Sequence, residues 1–204
     1  MELQINILND KPSLFYYEDN IFSNNELDFL TRLNYKDGEY GNLKISRKQL
    51  WFQNDNKYFC PIWKKRINRW ESEPYFDELT LLQNKVQNYI EELENKKSLF
   101  QNNGLDKLNI NSCLINYYET GNNFIPPHKD SSLSFGEYPT IVCVSYGDER
   151  TMILKNKEED FSFRLKSNSI FIMAGSSQKY YTHEIERKES ENPRYSLTFR
   201  NYIL

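Results

Sequence analysis

Residues 194–200 read Arg-Tyr-Ser-Leu-Thr-Phe-Arg, with polar and apolar side chains alternating along the whole segment. Alternation with a period of two predicts a β-strand, because successive side chains of a strand point to opposite faces. One face would carry only polar residues, namely Arg194, Ser196, Thr198 and Arg200. Arginine binds carboxylates through paired hydrogen bonds and stays charged, so this face favours a dicarboxylate ligand. The alternative for either arginine is a surface ion pair.

Short segments of the same kind recur upstream of this strand. They are rich in β-branched and aromatic residues, and turn residues such as Gly121 and Gly147-Asp148 separate them. The predicted strands cover residues 110–118, 140–146, 151–155, 161–165, 169–174, 180–185 and 195–203. Regularly spaced short strands predict an α+β, mainly β fold with a double-stranded β-helix, or jelly roll, as its core.

Two helices are predicted before these strands. Ser23 and Glu26 have the spacing of a capping box, and an apolar pair flanks them as a hydrophobic staple, so a short helix should begin there. Pro74 should open a second helix, because apolar residues recur at helical spacing between residues 76 and 93. This second helix should lie against one face of a sheet.

The bulk composition describes one folded domain. The chain has 204 residues and 15% aromatic residues, enough for a substantial core. Its three cysteines, Cys60, Cys113 and Cys143, lack CxxC spacing, which argues against a disulfide framework or a zinc ribbon and favours a reducing compartment. No segment resembles a membrane span or a signal peptide. We therefore expect a monomer that is intracellular, not secreted and not bound to a membrane.

The chain contains only two histidines. His128 belongs to the motif His128-Lys129-Asp130, and His183 lies on a separate predicted strand. His128 and Asp130 point to the same face of a strand, so both can reach one ion. Two histidines and one carboxylate form the facial triad that binds non-haem Fe(II) and leaves positions open for a co-substrate and dioxygen. The alternative is that both are ordinary surface histidines, since an HxD motif often arises by chance.

Basic and aromatic side chains are interleaved between Lys44 and Trp70. The basic residues of this stretch are Lys44, Arg47, Lys48, Lys57, Lys64, Lys65, Arg66 and Arg69. The formal net charge of −3 gives no overall attraction to nucleic acid, so phosphate contacts would need a local basic surface of this kind. The alternative is that the aromatic residues belong to the core and the bases form a solvated face.

Several groups of residues resemble, in order, the AlkB-like 2-oxoglutarate and Fe(II)-dependent dioxygenases. They are Asn116 to Gly121, His128 to Asp130, Pro139 to Arg150, Gly175 to His183 and Arg194 to Arg200. The resemblance covers the chain from about Asn111 to its C-terminus, and the ordered set ending in RxSxTxR is far more specific than the HxD motif. Upstream it rests on Arg47-Lys48-Gln49 and on Trp70 with Pro74.

The resemblance implies a fold and a set of cofactors. It implies a jelly-roll catalytic core at residues 106–204 and an N-terminal part at residues 1–105, with helices and a nucleotide-recognition lid, all in a single domain. His128, Asp130 and His183 would hold Fe(II), and 2-oxoglutarate and O2 would be the co-substrates.

The resemblance also implies how 2-oxoglutarate is held. Arg194 and Tyr118 would bind its distal carboxylate, and Asn116 and Arg200 would meet the end that chelates the metal. Asn116 and Tyr118 share a strand face, as this arrangement requires. The family often has asparagine where Ser196 stands, so the contact from Ser196 to the co-substrate would be shortened or lost.

The activity implied is the oxidative demethylation of N-alkylated bases in DNA or RNA. A base inside a duplex cannot reach a buried iron, so the substrate would be a flipped base or a single strand, stacked between aromatic rings. Tyr58 and Phe59 are the candidates for that platform. The other candidate substrate contacts are Arg47, Lys48, Ser132 and Arg150.

Two alternative functions remain open. Many relatives that repair nucleic acid carry further acidic residues just after HxD, whereas Ser131 and Ser132 follow here. The first alternative is therefore a 2-oxoglutarate-dependent hydroxylase of proteins or small molecules with the same iron site. The second is a catalytically degenerate member that binds nucleic acid through the basic stretch.

Overall fold

Two antiparallel β-sheets packed face to face make up most of the protein. The computed structural model describes residues 2–6, 11–40, 43–64, 70–98 and 108–204. Its strands are β1 (Glu2–Asn6), β2 (Ser13–Glu18), β3 (Glu39–Tyr40), β4 (Leu43–Lys44), β5 (Lys48–Gln53), β6 (Ser112–Tyr118), β7 (Ile125–His128), β8 (Ile141–Gly147), β9 (Arg150–Lys155), β10 (Asp160–Leu165), β11 (Ser169–Gly175), β12 (Thr182–Ile185) and β13 (Arg194–Arg200). The predicted mainly β jelly roll is confirmed.

The two sheets differ in size. The large sheet has seven strands in the order β1-β2-β11-β8-β13-β6-β5, and the small sheet has the order β10-β9-β12-β7. Strands β3 and β4 form a separate pair. Side chains from both sheets meet in one apolar cluster, in which Phe171 and Met173 of the large sheet lie with Leu154 and Phe163 of the small sheet. The space between the sheets is therefore the interior of the molecule.

A long helix covers the outer face of the large sheet. The helices are α1 (Asn24–Leu27), α2 (Asp77–Lys97), α3 (Ser132–Phe135) and α4 (Ser177–Tyr180), with 3-10 turns at Asp28–Arg32 and Pro61–Trp63. Leu79, Leu82, Val86 and Ile90 of α2 are buried in the same cluster as Leu197 and its neighbours on the large sheet. The predicted backing of a sheet by this helix is confirmed.

Helix α2 begins three residues later than predicted. The backbone of Glu73 is hydrogen-bonded to Trp51 and Gln53 at the edge of β5, and the backbone N–H of Tyr75 donates to the side chain of Asn54. These bonds hold residues 73–75 in an extended path, so the helix starts only at Asp77.

The capping box at α1 is present. The backbone N–H of Ser23 donates to Glu26 Oε2 at 2.8 Å. Phe22 and Leu27 are both buried, as the hydrophobic staple predicted. The helix itself is short and passes directly into the 3-10 turn.

The N-terminal half contributes three strands to the large sheet, and β2 was not predicted from the sequence. Leu14 and Tyr16 of β2 lie in the outer core, while Phe15 and Tyr17 lie between the sheets. A strand that is buried on both faces has no polar alternation to reveal it. The predicted strand 180–185 starts only at Thr182, since Tyr180 ends α4.

The predicted division near residue 105 lies outside the described residues. Strands from both sides of it pair in one sheet, because β5 pairs with β6 and β2 pairs with β11. Within the part of the chain that the structure describes, no helix combines the length and the hydrophobicity needed to cross a membrane.

Candidate active site

Both histidines and Asp130 converge on one point between the sheets. His128 ends β7 and His183 lies on β12, and the two residues are direct partners in the antiparallel register. Their ring centroids are 4.1 Å apart. Asp130 follows two residues after His128, and one ligand atom from each of the three residues lies within 4.8 Å of the others. The pairing of β7 with β12 thus brings together the three candidate ligands of the predicted facial triad.

The surroundings set these three groups in the charge state that a metal needs. Burial lowers the pKa of His128, and it lowers the pKa of His183 to about 3, so both imidazoles are neutral at physiological pH. Burial alone would raise the pKa of Asp130, but the charge of Arg200 and its hydrogen bond to the carboxylate outweigh burial and keep the pKa below its ordinary value. Two neutral imidazoles and a carboxylate are ready ligands for a divalent metal.

Neighbouring groups hold the ligands in place. The Nδ1 atom of His128 is hydrogen-bonded to the carbonyl of Pro126 at 3.0 Å, which leaves Nε2 for a metal. Arg200 Nε donates to Asp130 Oδ2 at 2.6 Å, and the backbone N–H of Asp130 donates to Gln178 Oε1 at 2.9 Å. Among the described residues, the buried Nδ1 atom of His183 has no hydrogen-bond partner. A buried imidazole nitrogen without a hydrogen-bond partner can be satisfied by coordinating a metal ion. The three residues therefore fit a bound Fe(II).

The predicted co-substrate residues lie on the large sheet facing this triad. Asn116, Tyr118, Ser196 and Arg200 line the same cavity as the three ligands. They share it because β6 and β13 are antiparallel neighbours, with Ser196 opposite Asn116 and Arg194 opposite Tyr118. The cavity thus has a metal-ligand wall on the small sheet and a polar wall on the large sheet.

Arg194 lies at one end of this polar wall. Its side chain is buried, with 1% of the residue exposed, and its guanidinium carbon is 5.0 Å from the ring centre of Tyr118. Its Nη2 atom donates to Ser145 Oγ at 2.9 Å. Its Nε and Nη1 atoms have no hydrogen-bond partner among the described residues. A buried, fixed cation with two unused donor atoms fits a carboxylate ligand such as the distal end of 2-oxoglutarate.

Asn116 is oriented by two hydrogen-bond donors, and the sequence did not predict that either of them contacts Asn116. Its Oδ1 atom accepts hydrogen bonds from Arg47 Nε at 2.8 Å and from Gln49 Nε2 at 2.6 Å. The amide nitrogen of Asn116 is therefore the donor that remains for a ligand. Gln49 also accepts a hydrogen bond from Trp70 Nε1 at 2.9 Å. Gln49 follows Arg47 by two residues in the Arg47-Lys48-Gln49 motif, a spacing that places both side chains on one strand face.

Several candidate substrate residues are not brought to the cavity. Lys48 lies on the face of β5 opposite to Gln49, where it contacts Glu119 and the ring of Tyr117. Ser132 is exposed on α3, and its neighbour Ser131 lines the cavity instead. In both cases the neighbouring residue faces the cavity instead of the predicted one. Neighbouring side chains point in different directions, and the sequence alone does not tell which of the two faces the cavity.

The predicted aromatic platform is only partly correct. Phe59 lines the cavity, but Tyr58 is buried in the cluster around Trp51 and does not reach it. Trp63 and Trp70 line the cavity as well. The interleaved basic and aromatic residues predicted that this region contacts the substrate, but they did not predict which rings face the candidate iron site.

A wide groove continues outward from His128. Its volume is about 760 Å³, within the range of about 300–1,000 Å³ of ligand pockets. Its side chains include Lys44, Arg47, Trp63, Trp70, Phe124 and Arg187. Arg187 lies over the ring of Phe124, 4.3 Å from its centre. The groove thus combines aromatic surfaces with cations at the mouth of the iron site. The bases at positions 65, 66 and 69 lie outside the described residues.

The fold and the site define a class of protein. A jelly roll that presents two imidazoles and one carboxylate opposite buried arginines is the architecture of a non-haem iron oxygenase with a carboxylate co-substrate. The profile of the 2OG-Fe(II) oxygenase superfamily matches residues 15–200, so the chain belongs to that family. The cofactors that go with this family are Fe(II), 2-oxoglutarate and O2, and the residues of the site fit them.

Curated relatives carry AlkB names. The DNA oxidative demethylase ALKBH2 of Arabidopsis thaliana is 29% identical over an alignment of 116 residues, covering 44% of this chain and 37% of that protein. The alpha-ketoglutarate-dependent dioxygenases alkB homolog 3 of Mus musculus and Homo sapiens are each 30% identical over 102 residues, covering 44% of this chain and 36% of each relative. The matched part is little more than a third of these relatives. The predicted AlkB resemblance is confirmed.

Solved structures share the fold. The structure of OsALKBH1 superposes with a TM-score of 0.65 and 16% identity, covering 97% of this chain and 100% of that chain. An oxidoreductase of the 2OG-Fe(II) oxygenase family from Burkholderia pseudomallei gives a TM-score of 0.58 and 14% identity, covering 92% and 84% of the two chains. At such low identity the likeness concerns the fold alone.

Proposed function

We propose that this chain catalyses the oxidative demethylation of N-alkylated bases in DNA or RNA. The observation that carries the proposal is the groove that opens at His128, with aromatic surfaces and cations side by side. Aromatic rings stack on unpaired bases, and lysine and arginine contact phosphates, so the groove suits a single strand or a flipped base. The name of one relative, a DNA oxidative demethylase, supports the same substrate class.

In this proposal, His128, Asp130 and His183 hold Fe(II). Bound Fe(II), 2-oxoglutarate and O2 supply the oxidising chemistry that hydroxylates a C–H bond. On an N-methyl group the product is a hydroxymethyl group, which leaves as formaldehyde. The chain itself contributes orientation and water exclusion. Arg200 contributes to both walls of the cavity, because it is hydrogen-bonded to Asp130 and also lines the co-substrate side.

The co-substrate roles follow the geometry of the polar wall. Asn116, Tyr118, Arg194, Ser196 and Arg200 hold 2-oxoglutarate, with Arg194 at the distal carboxylate. Support comes from the burial of Arg194 and from its two donor atoms without partners among the described residues. The side chain of Ser196 is shorter than the asparagine that the family often has, so its contact is weaker or mediated by water.

For the substrate, Trp63, Trp70 and Phe59 take the stacking role first assigned to Tyr58 and Phe59. Arg47 lines both the cavity and the groove and remains a proposed substrate contact. Residues 44–70 would then act as the wall or lid that recognises the nucleotide. The buried free cysteines agree with an intracellular, reducing compartment, and we propose that the protein acts there as a monomer.

An activity screen tests the proposal. Purified protein with Fe(II), 2-oxoglutarate and O2 is given single-stranded and duplex DNA and RNA oligonucleotides that carry N-methylated bases. Formaldehyde and succinate are measured together, with unmethylated oligonucleotides as substrate controls. We expect formaldehyde only with methylated strands, and faster release from single strands than from duplexes.

The Asp130→Ala variant is the enzyme control for this screen. It should form neither succinate nor formaldehyde, because a metal ligand is lost. Turnover on peptides or small molecules in a parallel panel, with none on any oligonucleotide, would replace the proposal by the hydroxylase alternative. Tight oligonucleotide binding without succinate above the Asp130→Ala background would favour the degenerate binder.

A further inference from the structure

Arg150, a predicted substrate contact, is buried at the start of β9 and is not among the residues that line the cavity or the groove. Only 2% of the residue is exposed. Its Nη2 atom donates to the backbone carbonyls of Asn123, at 2.8 Å, and of Glu186. Its Nε and Nη1 atoms have no hydrogen-bond partner among the described residues. A guanidinium with two unused donor atoms in the interior needs an explanation.

Arg150 and Arg194 lie beside the same tyrosine. The guanidinium carbon of Arg150 is 5.5 Å from the ring centre of Tyr118, and that of Arg194 is 5.0 Å from it. Positions two apart on a strand share a face, so Arg150 points to the same side of β9 as Met152. Met152 and Tyr118 both line the cavity of the iron site. The two arginines therefore flank Tyr118, which lines that cavity, and they approach this tyrosine from different sheets.

The charge of these two arginines is only partly balanced within the described residues, where the carboxylate of Asp148 favours the charged form of Arg150. Neither arginine forms an ion pair with a described carboxylate, and the nearby carboxylate of Asp148 is engaged by Lys188 at 2.9 Å. Burial lowers the pKa of Arg150, and the charge of Arg194 lowers it further. Two buried like charges repel each other, and an anion between them removes the repulsion.

We propose that Arg150 and Arg194 together form the pocket for the distal carboxylate of 2-oxoglutarate, and that Arg150 determines the specificity for a dicarboxylate. The four donor atoms without partners then serve one carboxylate, and the co-substrate supplies the missing negative charge. A 2-oxo acid with an apolar tail would leave both guanidiniums uncompensated. This inference rests on the family co-substrate and is independent of the proposed nucleic-acid substrate.

The simpler role for Arg150 is to tie two loops together through the carbonyls of Asn123 and Glu186. That role predicts a loss of stability when Arg150 is replaced, with equal effects on all 2-oxo acids. The two roles are therefore separated by comparing 2-oxoglutarate with 2-oxopentanoate, which has the same chain length but ends in a methyl group.

Calorimetric titration of the Fe(II)-loaded protein without oxygen tests the inference, because binding is then measured with no turnover. We expect Arg150→Gln to weaken 2-oxoglutarate binding by about tenfold or more, the loss of a charge-assisted hydrogen bond, while 2-oxopentanoate binding changes by less than about twofold. Arg164→Gln, an exposed arginine on β10 paired with Glu149, is the matched control and should change neither.

Equal losses for both ligands, or no loss for either, would overturn the inference. If Arg150→Gln does not fold, Arg150→Lys gives the same comparison, since lysine keeps the charge but not the planar fork of donors. Its preference for 2-oxoglutarate over 2-oxopentanoate should fall by about threefold or more, and an unchanged preference would equally overturn the inference.

Discussion

His128 and His183 are the only histidines in the chain, and both belong to the candidate metal site. No other imidazole can substitute for either of them. Burial keeps both imidazoles neutral, while the charge and the hydrogen bond of Arg200 keep Asp130 ionised. Each ligand is thus matched to its task by the residues packed around it, and the loss of one ligand cannot be repaired locally.

The variant His183→Ala should therefore lose the metal outright. We expect the stabilisation of the wild-type protein by added Fe(II) to vanish in a thermal unfolding assay, along with succinate formation. Ser132→Ala, an exposed change close in sequence to Asp130, is the control and should retain both properties. Full Fe(II)-dependent stabilisation of His183→Ala would contradict the ligand assignment.

Arg194 is the residue on which 2-oxoglutarate affinity should depend most. Arg194→Ala removes a buried guanidinium and should raise the Kd for 2-oxoglutarate by well over about tenfold, because charge-assisted hydrogen bonds are lost. Lys64→Ala removes an exposed lysine of the basic stretch and should leave that Kd unchanged. Similar Kd values for the two variants in a titration would show that the co-substrate binds elsewhere.

At the level of elements, the pairing of β5 with β6 connects the groove to the co-substrate wall. Gln49 lies directly opposite Asn116 in this register. It accepts a hydrogen bond from Trp70 and donates one to Asn116, so one amide orients a ring of the groove and a residue of the polar wall. Gln49 is in this sense a positioning residue.

Two variants of Gln49 separate these contacts. Gln49→Met removes both and should raise the KM for 2-oxoglutarate, shift the tryptophan fluorescence and cost about 1–3 kcal/mol of stability. Gln49→Glu keeps an acceptor for Trp70 but loses the donor to Asn116, so it should restore the fluorescence while the KM stays raised. Normal KM values in both variants would exclude a link to co-substrate binding.

The capping box of α1 gives a test by pH. Hydrogen bonds from Lys85 and from the backbone N–H of Ser23 lower the pKa of Glu26 from its ordinary 4.5 to about 2. A carboxylate with a depressed pKa stabilises the fold above pH 4.5, and this contribution is lost as the pH falls from 4.5 towards 2.

Glu26→Gln should therefore lower the free energy of unfolding by about 0.2–1 kcal/mol at neutral pH, because solvent screens the partly exposed pair with Lys85. This difference from wild type should shrink below pH 4.5. Urea unfolding over a pH series measures it. Glu189→Gln, on an exposed loop, serves as the control. A difference that stays constant down to acid pH would refute the electrostatic origin.

For the whole molecule, the cations around the groove matter more than the overall charge of −3. Lys44, on β4, and Arg187, which follows β12, both line the groove. A local basic surface on an acidic protein should bind a strand only where the groove leads to the iron site.

Replacing both Lys44 and Arg187 by glutamine should therefore weaken oligonucleotide binding and flatten its salt dependence. For two lost phosphate contacts on a single strand, the slope of log K against log salt should fall by about 1.4. Fluorescence anisotropy at several salt concentrations measures this slope. Lys157→Gln with Arg164→Gln, an exposed pair outside the groove, should leave the slope unchanged.

Much of the fold and two of the candidate metal ligands could be predicted because their signals are local. Alternation along 194–200 predicts a strand and its polar face, and the spacing of His128 and Asp130 predicts a shared direction, since neighbours along a strand are covalently constrained. The jelly-roll strands, the capping box and the shared direction of the candidate ligands His128 and Asp130 come from information of this kind.

Only the tertiary structure decided which distant residues meet. The pairing of β7 with β12 brings His183 to His128, and the central position of β2 between two strands hid it from periodicity. The same holds for Arg150, whose burial beside Tyr118 depends on how the small sheet packs on the large one. Strand order and sheet packing depend on how much apolar surface the whole chain can bury. A short segment of sequence does not contain that information, because the burial involves residues far apart in the chain.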